Sequence, residues 1–174
     1  MGAEKFYDIK CRKTGLQPDL TVLVVTLQAL KMHGGVAQED IKKPNIEGMK
    51  NGYWNLDKHV KNLQSFGQTV VIAFNKFATD TDEEIEVLRQ HCEEMGCGFA
   101  VNNAFAEGGK GAVELANLVV KTIDEHPSAP LYFAYKDDEP MEKKIEDVAF
   151  NLYGAGSVTM SDSAKAMIEE IKKL

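Results

Sequence analysis

Three short segments of this chain combine residue types suited to anions, phosphates or flat ligands. The first is Lys31-Met32-His33-Gly34-Gly35, two basic side chains at what reads as a helix end, followed by two glycines. Such a pattern is a C-cap with cations favoured by the helix dipole, or an anion site built from Lys31, His33, Gly34 and Gly35. The second is Asn75-Lys76-Phe77-Ala78-Thr79-Asp80. An Asn-Lys turn reads a purine only with an acceptor at the fourth position, and Ala78 stands there. Phe77 on that turn is either a lid over the core or a stacking platform. The third is Ala104-Phe105-Ala106-Glu107-Gly108-Gly109-Lys110-Gly111. Its spacing fits a phosphate loop up to Lys110, but Gly111 occupies the place where magnesium binding needs Ser or Thr. A glycine-rich ligand loop of another kind and a plain tight turn both remain open, with Gly108, Gly109 and Lys110 as anion candidates.

Other reactive residues give weaker patterns. His91-Cys92 with Cys97 lacks a fourth ligand, and no metal site is indicated. Three cysteines, Cys11, Cys92 and Cys97, form no disulfide framework and read as reduced thiols. His59 and His126 have no evident partner in the sequence, and no Ser-His-Asp order stands out. With 27 acids against 20 bases the formal charge is −7, which excludes a general nucleic-acid scaffold. No apolar run approaches a bilayer span, and the first ten residues carry no apolar stretch for secretion, so a cytoplasmic protein without membrane or nucleic-acid partners is expected.

The elements that must hold these segments follow from hydrophobic pattern. The runs 21–26 (TVLVVT) and 69–75 (TVVIAFN) are unbroken apolar strands, expected to be buried on both faces of a parallel sheet. A helix after Thr79-Asp80-Thr81-Asp82 carries Ile85, Leu88, Cys92 and Met95 inward and stops at Gly96. Residues 98–102 form a third strand, and a helix from about 112 to 125 has Leu115, Leu118, Val119, Thr122 and Ile123 as its stripe. Residues 131–135 are a possible fourth strand. Pro140 opens a helix with Ile145, Val148, Ala149 and Leu152 inward, stopped at Gly154. Residues 157–160 give a brief strand, and Ser161-Asp162 cap a last helix with Ala164, Met167, Ile168 and Ile171 inward. Residues 34–55, with Tyr53-Trp54, show no period and read as a functional or partner-facing loop. The fold class is α/β: a mostly parallel sheet flanked by helices, a three-layer arrangement like that of P-loop NTPases and Rossmann proteins.

Taken together, five segments resemble formate–tetrahydrofolate ligase: GAEKFYDIKCR at the start, VVTLQALKMHGG at 24–35, FGQTVVIAFNKFATDTDEEI at 66–85, FAEGGKGA at 105–112 and LYGAGSV at 152–158. The resemblance implies an ATP-dependent enzyme that phosphorylates formate and passes the formyl group to N10 of tetrahydrofolate. It further implies a cytoplasmic homo-oligomer that uses magnesium and a monovalent cation. The family's P-loop lies in a segment preceding the matched one, so this chain is expected to be part of a larger enzyme, inactive alone. Its portions would be 1–135, an α/β folate-binding part, and 136–174, a helical/αβ appendage. Carried across, Phe77 matches the aromatic that packs on the pterin, and Phe105 stands where the family usually has Trp. Ala78 replaces a usual Pro and Val101 a usual Leu beside the same ligand. In the 24–35 segment Val25 replaces Ala and Gln28 replaces Arg, removing a fixed charge.

Two readings from different classes follow. In the first, the chain supplies the tetrahydrofolate-binding part of the ligase. In the second, it is a non-catalytic α/β module for oligomerisation or partner binding, with Tyr53-Trp54 as interface anchors. A GTPase-like regulator is disfavoured by Ala78 and Gly111.

Overall fold

The computed structural model describes residues 2–173. Strands β1 (Thr21–Val25), β2 (Val70–Asn75) and β3 (Gly98–Asn102) form a parallel sheet in the order β1-β2-β3. The register pairs Val22 with Val71 and Val71 with Gly98, so these residues share one face and their neighbours the other. Helices α1 (Leu27–His33), α2 (Ile46–Asn51) and α3 (Tyr53–Ser65) connect β1 to β2, and α4 (Asp82–Glu94) connects β2 to β3. A short α5 (Ala104–Glu107) and a 3₁₀ turn (Gly108–Ala112) lead into α6 (Val113–Glu125). The fold is α/β, a parallel sheet with helices packed on it.

Burial explains which expectations held for the strands. Val70 to Phe74 of β2 are all buried, as the unbroken apolar run predicts for a central strand. On β1, Val22 and Val24 are 41% and 57% exposed, against the expectation of two covered faces. The register gives the reason. Small residues Ala73, Gly98 and Ala100 share that face, and a Cβ on Gly98 would meet Leu118 of α6 at 3.3 Å. Thus α6 packs close over β3 and leaves the outer strand uncovered. On the other face Arg89 of α4 lies over the Phe99 ring, 4.6 Å from its centroid, and Phe99 stacks on Phe74.

Helix α4 begins at the Thr81 N-cap with a complete capping box to Glu84, and Ile85, Leu88 and Cys92 point inward. Gly96 follows at φ +73, a left-handed conformation suited to ending the helix. Residues 34–55, expected to be aperiodic loop, instead contain α2 and the first turn of α3. Asn45 caps α2 through its side chain, which accepts from the Gly48 N–H. A six-residue helix that contains Gly48 and ends at Gly52 is too short to show its period in the sequence.

The chain divides into two compact units: 18–130, which holds the sheet, and 1–17 together with 131–174. This pairing of the two ends differs from the sequential division at 135/136. In the second unit, Ala3–Lys5, Phe6–Cys11 and Arg12–Thr14 run on as one helical stretch with a π-wound middle. Residues 131–135 are not a strand. They form a strap on this stretch: Asp8 accepts from the Ala134 N–H at 2.9 Å, and the Arg12 guanidinium lies over Phe133 and Tyr135. Burial raises the Asp8 pKa, opposed by the Ala134 N–H and by Arg12. Residues 157–160 also form no strand. Helix α7 (Met141–Asp147) continues into a π-turn (Val148–Leu152) that buries Leu152, and Gly154 ends it at φ +69. Helix α8 (Asp162–Ile171) is capped by Ser161 and buries Ile168, but Met167 and Ile171, expected inward, are exposed.

Candidate functional site

At the carboxyl ends of β2 and β3, where open α/β sheets place ligands, the chain forms a cleft of 440 Å³ lined by Lys76, Phe77, Ala78, Asn103, Phe105 and Ala106. The two strand ends are tied together beneath it. Asn102 donates from its side-chain amide to the Asn75 side chain at 2.8 Å, and the Lys76 N–H donates to the Asn102 carbonyl at 3.1 Å. Phe105 is 100% exposed and Phe77 42% exposed. Within the sheet-bearing unit Phe66, Phe74 and Phe99 are buried, whereas Phe77 and Phe105 keep their rings accessible at one opening.

The Phe77 turn is held locally. Its N–H donates to the Asp80 carboxylate at 2.8 Å, and the Asp80 N–H returns to the Phe77 carbonyl at 3.1 Å. Burial raises the Asp80 pKa, and the Phe77 N–H and the Lys31 charge oppose it. Lys76 carries its ammonium 3.2 Å from Asp82. Lys76 and Asn103 were missed as cleft residues, although the Asn-Lys turn itself was legible. Of the four folate candidates, Phe77, Ala78 and Phe105 line the cleft, and Val101 does not; its N–H faces Glu114 at 3.3 Å.

Lys31 does not reach any ligand surface. It is 1% exposed, and its ammonium sits 2.6 Å from Glu84 while donating to the Lys43 carbonyl at 2.8 Å. Gly34 is also structural: a Cβ there would overlap the Gly48 carbonyl oxygen, so the glycine lets α2 cross the end of α1. A Cβ on Gly52 would overlap the Leu30 carbonyl oxygen in the same crossing. Gly35 takes φ +85 at the turn. The cation-and-glycine pattern therefore serves helix packing for Lys31 and Gly34. His33 lies edge-on to Trp54, centroids 6.0 Å apart, and lines a separate cleft of 320 Å³ with Val24 and His59.

The third segment gives no phosphate cradle. A helix, α5, comes between β3 and the glycines, where a phosphate loop would wrap directly from strand to helix. Gly108 needs its φ of +59, and Gly111 packs so closely that a Cβ would overlap the Asn103 backbone. The Gly111 carbonyl accepts from the Asn103 N–H at 2.9 Å, so the turn braces the cleft from behind. Gly108, Gly109 and Lys110 are exposed and line no part of it. Among the described residues nothing here fits the triphosphate of a nucleotide. Cys92 and Cys97 are buried, and burial pushes their thiols up to about 12 and about 11, away from the thiolate form. No described helix is long and apolar enough to cross a membrane.

The family model for formate–tetrahydrofolate ligase matches residues 1–174. The chain belongs to this family. It is 63% identical over 174 residues to a formate–tetrahydrofolate ligase of Bacteroides fragilis and 62% identical to one of Bacteroides thetaiotaomicron, each match covering all of this chain and 31% of the relative. A ligase of Porphyromonas gingivalis is 56% identical over 171 residues, 98% of this chain and 31% of its own length. The chain therefore spans about a third of the ligases it matches. Within that third, the described cleft is the concave site that brings two sequence-selected aromatics together.

Proposed function

We propose that this chain supplies the tetrahydrofolate-binding part of a formate–tetrahydrofolate ligase, with the pterin held between Phe77 and Phe105. The observation that carries the reading is that these two residues, from segments following different strands, line one 440 Å³ cleft while both rings remain accessible. A pterin is planar with apolar faces, and each aromatic stack is worth about 0.5–1.5 kcal/mol beyond the area it buries. Lys76 and Asn103 at the cleft supply an ammonium and an amide for the polar edge of such a ring.

Catalysis in this part is positioning. Holding the pterin fixes the N10 amine for attack on an activated formyl group. The glycine turn at 108–111 does not fit a nucleotide's phosphates, so ATP use, with its magnesium, belongs in this reading to the rest of the ligase. The monovalent cation, homo-oligomeric assembly and cytoplasmic location are properties of the whole ligase in the same reading.

The test is titration of tetrahydrofolate into the chain and its Phe77→Ala and Phe105→Ala variants, followed by protein fluorescence or calorimetry. Each variant should weaken binding by about threefold to tenfold from lost stacking alone. Equal affinity in all three proteins overturns the reading.

A further inference from the structure

Lys31 and Glu84 are the most completely buried ion pair of the sheet-bearing unit among the described residues, each side chain 1% exposed. Neither lines the cleft. Their bonding partners come from three separate places in the chain. Glu84 Oε1 accepts from Lys31 at 2.6 Å and from the Asn45 N–H at 2.7 Å. Glu84 Oε2 accepts from the Thr81 hydroxyl at 2.8 Å, and the Glu84 N–H donates back to that hydroxyl at 3.3 Å. Lys31 also holds the Lys43 carbonyl. The pair thus knots α1, the segment entering α2 and the start of α4 at one point.

The start of α4 is also the end of the Phe77 turn. Thr81 follows Asp80, and Asp80 and Phe77 close the turn with reciprocal hydrogen bonds at 2.8 and 3.1 Å. Two hydrogen-bonded steps, joined by the Asp80–Thr81 peptide bond, therefore link Glu84 to the Phe77 backbone. Burial alone would raise the Glu84 pKa, but the hydrogen bonds from Lys31, Asn45 and Thr81 outweigh it and lower it, so the carboxylate stays charged. An apolar pair of the same size could fill this space but could not join three backbone segments.

We propose that Lys31 and Glu84 are positioning residues that fix the turn bearing Phe77, and so set where its ring stands at the cleft. The inference rests on the reading of Phe77 as a pterin platform, but its first readout needs no ligand. Replacing the pair by Lys31→Met with Glu84→Leu removes the knot while keeping an apolar filling. Amide hydrogen exchange then reports the turn directly. The Phe77 amide should exchange at least tenfold faster than in the native chain, with the Ile72 amide of β2 as the internal reference that stays protected. Lys31→Met with Glu84→Gln keeps an acceptor for the Thr81 cap but loses the ion pair, and the Phe77 amide should still exchange faster than in the native chain; native protection there would assign the turn to the capping box alone and overturn the role of the pair. Thr81→Val, which cuts the link with the ion pair intact, should again expose the Phe77 amide, and it serves if the first double variant fails to fold. Tetrahydrofolate affinity should fall in the Met/Leu variant about as far as in Phe77→Ala, and the two changes combined should lose no more than either.

Phe77 exchange that stays at the native rate in the Met/Leu and Thr81→Val variants overturns the proposal. So does faster exchange with undiminished affinity. A native chain that binds no tetrahydrofolate sinks the pterin reading instead, and the exchange rates alone then decide whether the pair holds the turn.

Discussion

Lys31 and Lys110 are nearly indistinguishable as sequence. Each lies within four residues of two or more glycines, at or near a helix, in a segment that could bind an anion. In the fold they are opposites. Lys31 is sealed against Glu84 under the crossing of two helices, and Lys110 stands exposed on a 3₁₀ turn. The difference lies in what the glycines permit. Gly34 and Gly52 allow two backbones to touch, which closes water out over Lys31, whereas nothing lies within 4 Å of a Cβ at Gly109. A glycine beside a lysine means a ligand loop only where the backbone remains open.

The largest effect that would break this contrast is loss of charge at Lys31. Lys31→Met leaves the Glu84 carboxylate buried without its cation, and such a change costs about 3–5 kcal/mol. Urea unfolding of the native and variant chains measures it. The Lys31→Met/Glu84→Leu variant should recover most of that loss, because the stranded charge is gone. A single variant as stable as the native chain would mean that water reaches Glu84 and that the pair is not buried in solution.

Next comes the crossing itself. Gly34→Ala forces the new methyl into the Gly48 carbonyl, so α1 and α2 must separate. Backbone contacts cannot turn aside as a flexible side chain can, and a loss of about 3 kcal/mol is expected. The same denaturation measurement checks it. Near-native stability would show that α2 is free to move away, and the structural account of the two glycines would fall.

How far the sequence discloses this molecule follows the same line between local and distant causes. The strands at 70–75 and 98–102, the α4 capping box and the Ser161 cap depend on residues within a few positions of each other, and all were legible. The positions of Phe77 and Phe105 were legible because the segment after a strand must emerge at the sheet's carboxyl edge. What sequence could not disclose is settled across long separations. Residues 131–135 carry strand-like side chains, yet Asp8 and Arg12, more than 120 positions away, bind their backbone as a strap. Val22 and Val24 look like core and are exposed because α6 sits over β3 instead. Lys31 looks like a ligand cation, and only its partner 53 positions on, Glu84, shows it to be a bolt. Val101, placed beside the pterin by the family resemblance, is not among the residues that line the cleft.

The smallest effect sharpens the comparison most. At Gly109 the φ is not positive, and an added methyl meets no atom within 4 Å. Alanine there loses no native contact and reduces the freedom of the unfolded chain, so Gly109→Ala should be neutral or stabilising by up to about 1 kcal/mol. The neighbouring Gly108 and Gly111 would not share that tolerance, one because of its φ of +59 and the other because its Cβ would overlap Asn103. Tetrahydrofolate binding should also be unchanged by Gly109→Ala, since the residue lines no part of the cleft. A variant that folds normally but binds tetrahydrofolate several-fold more weakly would return the glycine turn to the ligand. The difference between Lys31 and Lys110 would then be one between a packed cation and a ligand-facing one, rather than between packing and an idle surface.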